Sequence, residues 1–201
     1  MRHGESEDGA AGLHQRRITP LTPAGVNQAE LVAARLSKSN DALVLSSPLE
    51  RAKQTAEVVA NSLRKPVEYS DLFVEMRDPS EILGKPVKDP GVVGIKRAIR
   101  EHVGEPNWRY SDEETALELR GRAIQALQYL INLNKENIIL VTHGAFSAML
   151  FDVMAFGREV EPSIYLQLRN FMWDHNAGLT VCKYSDSRWK MLFWNDYSHL
   201  S

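Results

Sequence analysis

Four side chains, far apart in the sequence, are suited to one piece of chemistry. Arg2 and His3 stand together in "RHG", Arg51 lies in "SSPLERAKQT", and His143 lies in "VTHG". Two guanidiniums offer planar forks that match the oxygens of a phosphoryl group. The helix expected after Gly144 adds free backbone N–H groups and the positive end of its dipole. Such a pocket binds a dianion. Within it a neutral imidazole can attack phosphorus and carry the phosphoryl group as a phosphohistidine. Nearby cations favour the neutral ring. A departing alkoxide needs a proton, so a carboxylic acid is required, and Glu75, Asp78 and Glu81 are the candidates. No Cys- or His-rich spacing supplies further ligands to join His3 and His143 around zinc, so neither a metal nor a cofactor is expected.

These residues need elements to bring them together. "PLTPAGVNQAELVAARLSKSN" predicts a helix with Thr22 as N-cap and Pro23 at the first helical position. Ala42 to Leu45 reads as a short buried strand, followed by a Ser-Ser-Pro turn and a helix from about Leu49 to Leu63. The prolines and glycines of "KPVEYSDLFVEMRDPSEILGKPVKDPGVVG" break up any long regular element, which suggests a lid. "SDEETALELRGRAIQALQYLINLN" predicts a long amphipathic helix capped by Ser111 or Asp112. Ile138 to Val141 reads as a second buried strand, leading through Thr142 to Gly144 into an apolar helix. "GLTVCKYSDSRWKMLFWND" reads as a hairpin at a sheet edge. Strands alternating with helices imply an α/β layered domain whose parallel strands end on one side, where loops collect ligand sites. Arg51 and His143 both fall just past such ends.

Composition narrows the function classes. A chain of 201 residues is expected to form a single domain (1–201), with a cap segment at about 73–111. Its net charge of −2 provides no general field for a nucleic acid. No apolar run approaches the roughly 20 residues that span a bilayer, and no charged leader precedes an apolar segment, so no membrane partner is expected. The lone Cys182 reads as a buried structural thiol in a reducing compartment, which makes the cytoplasm the expected address. Arg16 and Arg17 read as a solvated charge pair, and His199 as structural. His14, His102 and His175 have no evident partners, although His175 stands where it would border the pocket. Trp108 and Tyr110 could line the lid, although aromatics at such places more often pack a core edge. Oligomeric state leaves no trace in the sequence.

"RHGES", "PLTPAGVNQA", "SSPLERAKQTAE", "VTHG" and the closing "NDYSHL", in this order and spacing, resemble the histidine phosphatase superfamily, the phosphoglycerate mutase-like proteins. The resemblance covers nearly the whole chain except about 80–110. It implies a three-layer α/β/α sandwich with a mostly parallel central sheet and a small cap. It also implies that His3 is the phosphorylated nucleophile, that Arg2 and Arg51 grip the phosphoryl oxygens, and that His143, with Gly144 beside it, stabilises the transferring group. Glu75 is the best match for the acid, with Glu81 in reserve. The implied activity is metal-independent phosphomonoester hydrolysis of the acid type, on a small phosphorylated molecule or a phosphoprotein. A phosphoglycerate-type mutase and a phosphate-binding regulatory module without catalysis are the alternatives. Two features depart from the family. Its members carry several apolar residues before RHG, forming the strand that aims the histidine, whereas Met1 alone stands there in this sequence. The loop "SEDGAAGLHQRRIT" lacks the Trp-Asn and Gly-Trp features of cofactor-dependent mutases, which favours a hydrolase.

Overall fold

The computed structural model describes residues 1–39, 41–172 and 174–201. In chain order the elements are α1 (Glu7–Ala10), α2 (Pro23–Arg35), β1 (Leu43–Ser46), α3 (Glu50–Leu63), β2 (Val67–Tyr69), α4 (Pro90–Glu101), α5 (Ala116–Asn132), β3 (Ile138–Val141), α6 (Gly144–Phe156), α7 (Pro162–Phe171), β4 (Leu179–Ser185) and β5 (Arg188–Asp196). A parallel sheet runs in the order β2-β1-β3. β4 and β5 form an antiparallel hairpin, as the sequence predicts.

Successive residues of a strand face opposite sides, and β1 shows how both faces are covered. Val44 packs with Val32 of α2 and Val59 of α3. Its neighbour Leu45 packs with Leu119 of α5 and Phe146 of α6. The sheet therefore lies between two helical layers, the three-layer arrangement expected.

Met1–His3 extends this sheet. Thr142 donates its N–H to the Met1 carbonyl and His3 donates its own to the Thr142 carbonyl, both at 3.0 Å. On the other edge, the N–H of Ala177 reaches the His3 carbonyl at 3.1 Å, and Arg2 donates to the Gly178 carbonyl at 3.4 Å. Pairing on both edges gives His3 a rigid support.

Two boundaries differ from expectation for reasons visible in the sequence. α5 starts at Ala116, not behind Ser111 or Asp112, because Thr115 and Glu118 cap it reciprocally. The Pro- and Gly-rich lid contains the 12-residue helix α4. Asp89 accepts from the Val92 N–H at 3.1 Å, Pro90 occupies the first turn, and Val92 is buried. A cap, a pre-set φ and a buried anchor outweigh the cost of Gly91 and Gly94, roughly 1 kcal/mol each. Cys182, expected to be buried, is half-buried in β4.

Candidate active site

The tight turn after His3 depends on two glycines from separate motifs. A Cβ on Gly4 would come within 2.4 Å of the Gly25 carbonyl oxygen, and one on Gly25 within 2.0 Å of the Glu5 carbonyl oxygen. Their absence lets the first turn of α2 lie directly against the RHG turn. Polar side chains of the same motifs then fix the backbone. Thr55 accepts from the Gly4 N–H at 3.1 Å, Gln28 from the Glu5 N–H at 2.8 Å, and Gln54 from the Leu21 N–H at 2.8 Å. Asn176 donates its side-chain amide to the His3 carbonyl at 3.1 Å.

Within this frame His3 and His143 meet, both buried, with ring centroids 5.1 Å apart. The Nδ1 of His3 lies 2.7 Å from the Gly4 carbonyl, and Arg51 Nε donates to His3 Nε2 at 3.1 Å. The hydrogen-bond pattern assigns one tautomer: Nδ1 carries the proton and Nε2 keeps a lone pair. Burial, then Arg51 and Arg2, hold the His3 pKa well below the usual imidazole value. His143 is depressed in the same way, by burial first and then by Arg51. Its Nε2 lies 2.8 Å from the Ser47 hydroxyl. Two uncharged imidazoles thus sit among guanidiniums.

Arg51 itself is buried, and burial brings its pKa down to about 10, so it stays charged at neutral pH. Its Nη1 donates to the Arg16 carbonyl at 3.0 Å. That carbonyl is fixed in turn because Asp8, buried, accepts from the Arg16 N–H at 2.9 Å and from Arg16 Nε at 3.0 Å. These Arg16 hydrogen bonds are the main reason the Asp8 carboxyl lies well below the usual range. Arg16, exposed like Arg17, is therefore also a structural partner of Asp8. Arg2 donates through Nη1 to the Asp174 carbonyl. Among the described residues, Arg2 Nε and His143 Nδ1 are buried with no acceptor or donor opposite. Phosphoryl oxygens satisfy such atoms.

Of the three acid candidates, the fold brings Glu75 and Asp78 to the site. Arg122 of α5 donates to the carbonyls of Leu72 and Val74 at 3.0 and 2.7 Å, and Thr142 donates to that of Phe73 at 2.7 Å. The Glu75 carboxylate accepts from the N–H groups of Ala145 at 3.2 Å and Phe146 at 2.9 Å. This corrects one expectation: those α6 amides serve Glu75, and are not free for a phosphoryl group. Gly144 remains in the cavity wall, near the Arg2 guanidinium. Asp78 is bound by His14 at 2.9 Å and by Lys96. Burial works to raise its pKa, but these two partners bring it down to about 2, too low for a proton donor. Glu81 is exposed and outside the cavity.

Arg2, Arg51, Glu75 and Gly144 line a cavity of about 650 Å³. The two buried histidines are not in its wall, and Arg51, which is, donates to His3. His14 and Lys96 both hold Asp78 and tie the lid down, since Lys96 belongs to α4 and His14 to the loop before α2. His175 packs against Tyr197 with ring centroids 4.0 Å apart, and is not in the cavity wall. His199 reaches the Ala177 carbonyl at 3.1 Å, the structural role expected. Trp108 stacks on His102 and lines a second cavity of about 250 Å³. Ser47, Asp174 and Arg122 were not foreseen as site residues. Only Ser47 had a signal, its place in the "SSP" turn.

This geometry has known counterparts. The family model of the histidine phosphatase superfamily (branch 1) matches residues 1–197. The chain belongs to that superfamily. Its members most similar in sequence include the metal-independent phosphoserine phosphatase of Arabidopsis thaliana, 29% identical over 100% of this chain and 82% of the relative. A probable phosphoglycerate mutase GpmB of Proteus mirabilis is 28% identical over 100% of this chain and 93% of the relative. Among solved superfamily structures, a phosphoserine phosphatase mutant from Entamoeba histolytica in complex with phosphoserine superposes with a TM-score of 0.80 at 26% identity, covering 100% of this chain and 96% of that one. YhfR of Bacillus stearothermophilus shares the fold with a TM-score of 0.82 at 20% identity, covering 100% of this chain and 96% of that one. Fold, family and relatives agree on a histidine phosphatase that acts on phosphomonoesters.

Proposed function

We propose that the protein hydrolyses phosphomonoesters, without a metal, through a phosphohistidine on His3. The observation that carries this reading is the tautomer of His3. With Nδ1 turned to the Gly4 carbonyl at 2.7 Å, the Nε2 lone pair faces the cation Arg51 at 3.1 Å. The incoming phosphoryl group takes Arg51 as its own partner and so uncovers that lone pair. Nε2 attacks phosphorus while the ester P–O bond breaks, and Glu75 gives its proton to the leaving oxygen. The ring becomes positively charged, and the Gly4 carbonyl opposite Nδ1–H stabilises it. Arg2, Arg51 and His143 hold the transferring oxygens. A water then attacks phosphorus and gives its proton to the Glu75 carboxylate. The N–P bond breaks, releasing inorganic phosphate and a neutral His3.

The substrate class is small phosphorylated metabolites, in keeping with the phosphoserine and phosphoglycerate named for relatives. A cytoplasmic address belongs to the same reading, and a single cysteine fits it. Replacing His3 by Ala is expected to abolish turnover of p-nitrophenyl phosphate, while a chelator leaves the unaltered protein fully active. Activity that survives the substitution, or is lost with the chelator, rejects the mechanism. The mutase alternative, favoured by the GpmB relative, predicts phosphoryl transfer between positions of one substrate without free phosphate.

A further inference from the structure

Arg169, on α7, combines three properties that no other cation of the cavity wall shares. Its side chain is exposed, and it lines both the catalytic cavity and the second cavity behind it. Among the described residues it has no carboxylate partner. Arg16 is tied to Asp8, and Lys96 to Asp78. Among the described residues Arg169 makes one hydrogen bond, from Nη1 to the Tyr165 hydroxyl at 3.3 Å. Tyr165 is buried, its hydroxyl lies 3.6 Å from the sulfur of Met76, and its ring lies beneath the Arg169 guanidinium, 5.9 Å away. The guanidinium is therefore held at one nitrogen, while its Nε and Nη2 edge has no acceptor among the described residues.

Its position matters more than its charge. Met76 follows Glu75 in the chain, and Glu75 and Asp78 are the carboxylates near enough to act on the Arg169 charge. Both are engaged elsewhere, Glu75 by the amides of Ala145 and Phe146, and Asp78 by His14 and Lys96. Arg169 thus stands in the cavity wall on the side of Glu75, which protonates the leaving oxygen. We infer that Arg169 forms a carboxylate subsite, so that the substrates taken best are phosphomonoesters whose alcohol carries a carboxylate close to the ester carbon. A planar monoanion matches the free Nε and Nη2 edge in a bidentate pair. A second phosphate is disfavoured, because a dianion there would face Glu75 and Asp78 with one unpaired cation to offset it.

The inference rests on the phosphomonoesterase reading and deepens it. O-phosphoserine and phosphoethanolamine differ by the carboxylate alone, and so form the probe pair. The unaltered protein is expected to favour O-phosphoserine in kcat/KM. Arg169→Gln is expected to lower that value roughly 10- to 100-fold, chiefly through KM, with Arg169→Lys recovering part of it. Phosphoethanolamine and p-nitrophenyl phosphate should change by no more than about twofold in both variants. A protein without the preference, or a variant that slows both esters equally, overturns the subsite. Absence of turnover on every ester refutes the hydrolase reading instead. The subsite is then decided by calorimetry on the His3→Ala protein: binding of O-phosphoserine that weakens when Arg169→Gln is added supports it, and unchanged binding overturns it.

Discussion

The arrangement of Glu75 assigns it two duties that one substitution can separate. Its Oε1 accepts from the Phe146 N–H at 2.9 Å and its Oε2 from the Ala145 N–H at 3.2 Å, so an amide oxygen can keep the shorter contact while the longer one is lost. Glu75→Gln should therefore fold at a modest cost in stability while losing both the proton it donates and the one it later accepts. With p-nitrophenyl phosphate, whose leaving group needs little protonation, a burst of nitrophenol about equal to the enzyme concentration is expected, followed by turnover slowed roughly 10²- to 10⁴-fold. An alkyl phosphate should show no burst. Steady turnover near the unaltered rate with both esters would remove Glu75 from the chemistry. At this scale the sequence was legible where a residue type is demanded by its own motif: His3, Arg51 and His143 meet as their turns imply. It was silent on Asp174 and Arg169, because a lone aspartate or helical arginine reads as surface until the fold shows what it faces. The resemblance already favoured Glu75, but the reason that Asp78 is unsuited needed the packing of α4, whose Lys96 comes from the stretch least similar to the family.

The elements explain why the motifs contain residues that do no chemistry. Gly25, in the first turn of α2, is such a case, since a Cβ there would approach the Glu5 carbonyl oxygen to 2.0 Å. Gly25→Ala should improve helix propensity in isolation, yet the clash is with backbone and cannot be relieved by a rotamer. A net loss of about 1–3 kcal/mol is expected, read as a fall in Tm of roughly 3–10 °C, together with reduced kcat as the RHG turn shifts. A Tm at or above that of the unaltered protein would show that the turn is not held by this contact. The strands and helices of the two βα units were readable from apolar runs and caps, as for Thr22 and Pro23. α4 was missed because Gly91 and Gly94 were read as breakers, and α7 because Pro162 at its start was not read as a first-turn proline. Both helices carry a Pro start signal in the sequence. What propensity could not show was the buried Val92 and Tyr165 that anchor them.

For the molecule as a whole, pH acts through groups that the fold leaves uncharged. Asp152, in the apolar helix α6, is buried with no partner among the described residues for either oxygen, and burial pushes its pKa up to about 7. The folded state thus binds this proton more tightly than the unfolded chain. Its contribution is fully present below the unfolded pKa and is lost as pH rises from about 4 to 7, at roughly 1.4 kcal/mol per pH unit. His3 and His143 act oppositely: their depressed values make stability fall as pH drops below about 6.5. Asp152→Asn removes the first slope and leaves the second. The Tm difference between variant and unaltered protein should be at least about 4 °C more favourable at pH 8 than at pH 5.5. A difference independent of pH would mean that Asp152 titrates normally.

The pairing of Met1–His3 between residues 140–142 and 177–178 also has a temporal side. During synthesis both sheet neighbours of the nucleophile are made well over a hundred residues after it. Until those later segments emerge and dock, the histidine has no fixed partner on either edge. The chemistry is therefore acquired only once they are in place, and a product terminated before them remains inert.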